Sequence, residues 1–261
     1  LRRRNIATHD QKKDRPYTGN RLAECYDEGA KRFGWDAWYP STTASPAAKA
    51  AATGAAKSPR GTTDPRLVPG KPHLRRGAGV SAQIWSTGGG PPSYATVRLN
   101  SDGSADVLAG SQDLGTGTRT ILAQVAAEAL GHRLDQVRAI IGDTGATPYA
   151  GNSWGSMTVA SLTPAVRMAA IDARNALLDA ASGLLGAPKD ALDTRDGRVT
   201  VRDTDRAMSF GEITAKLGNV MIQGHGSRGP NPQDAGIVTT GVQFAEVEVD
   251  TVTGVVRVLR I

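Results

Sequence analysis

The residues of this chain best suited to chemistry are small ones. Residues 107–120 read VLAGSQDLGTGTRT and run directly into ILAQVAAEALG: an apolar strand, a glycine-punctuated bend and a helix in immediate succession. Gly115 and Gly117 permit positive φ and close approach of a ligand. The first amides of the following helix have no partner within it and carry the positive end of its dipole. Phosphate is the usual occupant of such a bend. No Lys-Ser/Thr pair follows, which excludes a triphosphate-binding loop, and Thr120 stands where a dinucleotide fingerprint needs its third glycine. By itself the motif also fits a tight strand-to-helix turn without a ligand.

A second small-residue patch, Gly155-Ser156-Met157-Thr158, leads into an alanine-rich helix. Free amides and the Ser156 and Thr158 hydroxyls could receive an anion there. An ordinary N-cap is the alternative for these residues, as it is for Thr118 and Thr120 in the first patch. Asp113 is placed to fix the first bend by accepting from its amides, and Asp143 to organise the loop after its strand. Trp154 could stack on a ring or simply pack. A protein-ligated metal is not expected: Cys25 is the sole cysteine, and His9, His73, His132 and His225 form no close pair. Glu246 and Glu248 alternate with Ala245, Val247 and Val249, the pattern of a strand's polar face.

The elements that must hold these residues are legible in outline. Leu22, Cys25, Tyr26, Gly29, Ala30 and Phe33 recur at helical spacing, with Gly34 as a stop. Residues 41–66 are a Pro/Ala/Thr/Gly/Lys stretch with almost nothing to bury. GVSAQIWS and SYATVRL read as strands, the second turning through Asp102-Gly103 into ADVLAG. A helix from about Thr120 to Leu130 and the strand VRAIIGD follow. The long helix spans residues 158–185 and contains Pro164, which predicts a late start near Leu162 to Pro164 or a kink. RDGRVTV marks a second hairpin, Ser209 and Glu212 a capping box, and VQFAEVEVD-TVTG-VVRVLRI a closing hairpin.

The 261 residues suffice for one large core or two modest ones. The net charge of +6 comes from Lys and Arg interleaved with Asp and Glu, without a basic-aromatic platform, which argues against a nucleic-acid reader. No apolar run approaches the roughly 20 residues of a membrane span.

The run GSQDLGTGTRTILAQVAAEALG, then VRAIIGDTGATP, then GNSWGSMTVASLTPAV resembles the molybdopterin-binding large subunit of the xanthine dehydrogenase and aldehyde oxidase family, in its bacterial aldehyde-oxidising form. LRRRN, LAECYDEGAKRFGW and FAEVEVDTVTGVVRVLRI agree with it. The resemblance implies an α+β fold, a mixed β-sheet with packed helices. Residues 1–39 would be the tail of a first molybdopterin-binding domain, 40–75 a linker, and 76–261 the N-terminal part of a second. Gly115, Thr116, Gly117, Thr118, Thr120, Ser156, Met157 and Thr158 would bind the cofactor, molybdopterin with molybdenum, as its cytosine dinucleotide in bacteria. Thr116 stands where the family often has Gln, so that contact would differ.

The resemblance further implies iron–sulfur and FAD groups on partner domains or subunits, and an aldehyde or N-heterocycle as substrate. No nucleic acid or membrane partner is expected. The cytoplasm is favoured, with export on a partner's signal as the alternative. The family's catalytic glutamate would lie after residue 261 and a glutamine near the metal before residue 1, so no catalytic residue is assigned here; Glu128, Glu246 and Glu248 are not substitutes. An inactive fragment of such a subunit, or a basic non-enzymatic binding module, are the rival readings.

Overall fold

The computed structural model describes residues 2–39, 65–86 and 88–261. In chain order these form β1 (His9–Asp10), β2 (Arg15–Pro16), α1 (Leu22–Phe33), β3 (Leu74–Ser86), β4 (Tyr94–Leu99), β5 (Ala105–Ala109), α2 (Thr118–Leu130) and β6 (Val137–Ile141). There follow α3 (Thr158–Leu185), β7 (Leu192–Arg195), β8 (Arg198–Val201), β9 (Ala207–Ser209), α4 (Phe210–Leu217), β10 (Ile222–Ser227), β11 (Val238–Asp250) and β12 (Val256–Arg260). The fold is α+β. Two compact units emerge: the described residues up to Ser86 with Asp234–Ile261, and those between Thr87 and Gln233.

In the first unit β3 and β11 pair antiparallel along their whole length, from Val238 opposite Ser86 to Asp250 opposite Leu74. β12 adds to the other edge of β11. α1 lies on this sheet through the stripe expected for it. A side chain at Gly29 would overlap the Phe244 ring, and Phe33, Trp38 and Phe244 form a small core. Gly34 closes α1 at φ 75°, its amide bonded to the Ala30 carbonyl at 3.0 Å. The low-complexity stretch falls mostly outside the described residues, and β3 begins at Leu74.

Glu246 and Glu248 depart from the expected polar face. Both share the buried side of β11 with Phe244, and Glu246 is 2% exposed. Arginines from elsewhere cover them. Arg76 donates to Glu248 at 3.1 and 3.2 Å, and Arg260 meets Glu246 at 3.2 Å while lying 4.2 Å over the Phe33 ring. Two-residue alternation reported the facing correctly and its polarity wrongly, because a buried carboxylate needs a cation that the strand does not carry.

The second unit has the strand order β10-β4-β5-β6. β5 and β6 are parallel, joined by α2 as a β-α-β crossover, and the remaining pairs are antiparallel. Both Asp-Gly hairpins form: Gly103 has φ 88°, and Asp196 and Gly197 have φ 50° and 77°. α2 and α3 cover one face. The long helix approaches β10 through small residues, since side chains at Gly224 and Gly226 would overlap backbone atoms of Ala165, Ala169 and Ala173, which are all fully buried. On the opposite face Asp106 lies 2% exposed between Arg98 and Arg138. Burial raises its carboxyl, but the bonds from Arg138 and Arg98 outweigh that and hold it below the usual range.

α3 overturns the late start expected near Leu162 to Pro164. The helix starts at Thr158, and Pro164 sits inside its second turn. Among the described residues, no helix is long and apolar enough to cross a membrane.

Candidate functional site

The two patches singled out in the sequence emerge at the same end of one sheet. β5 and β6 run parallel, so the bend after Ala109 and the loop after Ile141 both leave from carboxyl ends. Ligands of open α/β sheets gather at such ends. An isolated bridge pairs Gly110 with Tyr149, and Ser111 Oγ lies 3.3 Å from Ser153 Oγ. That bond ties the two loops together four residues before Gly115 and three before Ser156. Ser111 is fully buried.

Within the first bend, Gly115 and Gly117 take φ of 88° and 79°. Asp113 Oδ1 accepts from their amides at 3.0 and 3.2 Å, and its Oδ2 from the Arg119 amide at 3.2 Å. These bonds hold the Asp113 carboxyl below the usual range, the one from Arg119 most strongly. The protein's own carboxylate therefore occupies the amides that the bend offers to an anion. Thr116 is exposed, with its Oγ1 3.3 Å from the Oγ1 of Thr118, which is 2% exposed. Thr120 is exposed on the first turn of α2. Neither Thr118 nor Thr120 caps the helix; Gly117 holds the N-cap position.

The second patch is organised differently. Ser156 is exposed at φ 62°, a left-handed conformation uncommon for a residue with a side chain. Met157 is the N-cap residue of α3, and no side chain caps that helix. Thr158, its first residue, is half-buried. The capping alternative thus fails for Ser156 and Thr158 as well. Trp154, 66% exposed, does not pack into the core. Asp143 organises its loop as expected, accepting from the Gly145 amide at 2.9 Å.

Around the start of α3 the structure adds residues that sequence reasoning missed. The Gly90 amide donates to Ser161 Oγ at 2.7 Å, and a side chain at Gly90 would come 2.9 Å from Met157 Cε. The Gly151 amide donates to Ser93 Oγ at 3.2 Å. Arg228 and Asn231 close the same region, with Asn231 Nδ2 on the Gly89 carbonyl at 2.8 Å. The run GGGPPS at 88–93 was the available signal, an unusual density of glycine and proline between two strands.

A small-residue site beside a helix N-terminus, at the carboxyl end of a β-α-β unit, is of the class suited to anionic groups. Residues 54–261 match the model of the molybdopterin cofactor-binding domain, and the chain belongs to that family. It is 28% identical over 250 residues to the aldehyde oxidoreductase molybdenum-binding subunit PaoC of Escherichia coli, covering 94% of this chain and 29% of that protein. It is 38% identical over 117 residues to a nicotinate dehydrogenase subunit of Pseudomonas putida, covering 45% of this chain and 10% of that one. The CO dehydrogenase of Oligotropha carboxidovorans shares the fold with a TM-score of 0.68 at 19% identity, over 94% of this chain and 30% of that chain. The kinship with molybdenum-binding subunits of the xanthine dehydrogenase and aldehyde oxidase family, read from the motifs, is thereby shown. The chain spans 10% to 29% of the length of the first two of these relatives.

Proposed function

We propose that this chain is the molybdenum-cofactor-binding portion of an oxidoreductase that hydroxylates aldehydes or N-heterocycles. The observation that carries the reading is the Ser111–Ser153 bond, which ties together the loops that lead into the two small-residue bends, at one end of the parallel pair β5–β6. The residues fit an elongated anionic group. The uncapped first turn of α3, the Ser156 hydroxyl and Thr158 suit its phosphate portion. The first bend, with its amides engaged by Asp113, offers the Thr116 and Thr120 hydroxyls and the close approach that Gly115 and Gly117 allow. Bound there, the group would supply a molybdenum centre for two-electron oxidation, and this chain's residues would hold and orient it.

The domain assignment of residues 1–39 and 76–261, the cytosine dinucleotide form of the cofactor, and iron–sulfur and FAD partner subunits belong to the same proposal. Relatives whose names describe aldehyde oxidoreductase and nicotinate dehydrogenase subunits support it. Binding without turnover is the second reading for these residues alone, favoured by the small share of those relatives that they span.

The test is metal content. Full-length subunit carrying this sequence, produced with molybdenum cofactor supply, should hold close to one molybdenum per chain. Ser156→Glu, which sets a carboxylate at the start of α3, should lower that content about tenfold by displacing or repelling the phosphate portion. Its thermal midpoint should stay unchanged, since Ser156 is exposed. Wild-type protein free of molybdenum under those conditions would remove the reading.

A further inference from the structure

The cofactor reading leaves Arg228 unused, and its surroundings call for an explanation. Pro164 has no amide to give the Ala160 carbonyl four residues back, and its ring pushes that carbonyl outward. The Ala160 carbonyl would then lack its helical donor in the first turn of α3. Arg228 supplies it: Nε donates to Ala160 O at 2.8 Å. The same guanidinium donates from Nη1 to Gly229 O at 2.5 Å and from Nη2 to Asn231 Oδ1 at 2.6 Å. Asn231 passes the connection to the Gly89 carbonyl at 2.8 Å, and the Arg228 amide bonds the Ser93 carbonyl at 2.8 Å.

Three segments distant in sequence meet at this one side chain. A side chain at Gly89 would overlap the guanidinium, so a larger residue there would displace Arg228 from this position. Gly90 completes the ring of contacts by bonding Ser161, one turn into α3, and by packing on Met157, its N-cap residue. Only a rigid planar fork can donate in these directions together; an ammonium group on a flexible stem cannot. No carboxylate pairs with Arg228 among the described residues. A cation beside a helix N-terminus is ordinarily unfavourable, so its place here is explained by the proline.

We propose that Arg228, seconded by Asn231, is a positioning residue that replaces the amide missing at Pro164. It thereby fixes the first turn of α3, and with it Ser156-Met157-Thr158, in the geometry that holds the cofactor. The second clause rests on the reading given under Proposed function; the first stands on the bonds alone.

Rescue separates this role from a simple loop staple. Pro164→Ala restores the amide to Ala160 O and makes the Nε bond redundant. In this chain, R228A should raise hydrogen exchange at the amides of Ser161, Leu162 and Thr163 about tenfold, as the turn opens locally. R228A/P164A should return them to near the wild-type rates, and R228K should resemble R228A. N231A, which leaves Nε on Ala160 and removes the link to Gly89, should loosen Gly90 and spare Ser161–Thr163. Should R228A fail to fold, R228K against R228K/P164A makes the same comparison. In the full subunit, molybdenum content should fall several-fold in R228A and recover in R228A/P164A.

Wild-type exchange in R228A, or no recovery in the double variant, overturns the replacement of the amide. Wild-type molybdenum content in R228A overturns the role in positioning the cofactor site. Absence of molybdenum from the unmutated subunit sinks the cofactor reading instead, and the exchange comparison still decides the clamp.

Discussion

Asp113 does for its bend what a bound anion does elsewhere, gathering the amides of Gly115, Gly117 and Arg119 onto one carboxylate. Those bonds depress its pKa. Because the folded value lies below the unfolded one, the support is present above the ordinary aspartate value of about 3.9 and is lost as pH falls through the lower, folded value. Amide chemical shifts of Gly115 and Gly117, followed from pH 7 downward, should therefore titrate with a midpoint below about 3.9. Asp113→Asn should abolish that titration. A midpoint at or above the ordinary value would mean that the carboxylate does not hold the bend. This role was legible in the sequence, because an aspartate two residues ahead of a glycine turn has few other uses. The covering of Glu246 and Glu248 was not, since Arg76 is 172 residues from Glu248 in the chain.

At the scale of elements, α3 and β10 form the closest packing of the second unit. Gly226→Ala would force a methyl against the Ala165 carbonyl and the Ala169 amide, and should destabilise the fold by about 1–3 kcal/mol or more in urea titration. Gly183 is the counter-example. It lies in α3 with nothing within 4 Å of a side chain placed there, so Gly183→Ala should stabilise by about 0.5–1 kcal/mol. Equal effects from the two substitutions would refute the packing described. The helices and hairpins were readable because their signals are local: Asp-Gly turns, the capping box at Ser209 and Glu212, stripes at helical spacing. Pro164 shows where such reading ends. Local rules place proline at a helix start or a kink, and what allows it in the second turn is Arg228, 68 residues on from Ala160. The candidate site was legible in its two bends, faint in the glycine- and proline-rich 88–93 segment and silent in 228–231, and these last two become significant only when the chain brings them together.

At the scale of the whole molecule, each unit holds its own core. Arg260 closes the first of these by meeting Glu246 at 3.2 Å and donating to the Phe33 carbonyl at 3.1 Å. Its side chain is 43% exposed, so solvent screening reduces what the buried pair would otherwise contribute, and Arg260→Ala should cost about 1–2 kcal/mol. Trp35 and Trp38 lie in that unit, whereas Trp154 of the other is already 66% exposed. Tryptophan fluorescence should accordingly report a lowered urea midpoint in the variant. Exchange at the fully buried Leu122 and Leu177 should remain at wild-type rates; joint loss of protection would show that the units unfold as one. A last consequence concerns the bearing of β10 on the long helix. Main chain rests on main chain at Gly224 and Gly226, leaving no rotamer to take up slack. α3 has 28 residues and is a rod of about 42 Å. A shift at that bearing therefore moves the helix body from Ala165 onward as one piece, and it reaches Thr158 only through the turn that Pro164 interrupts and Arg228 bridges.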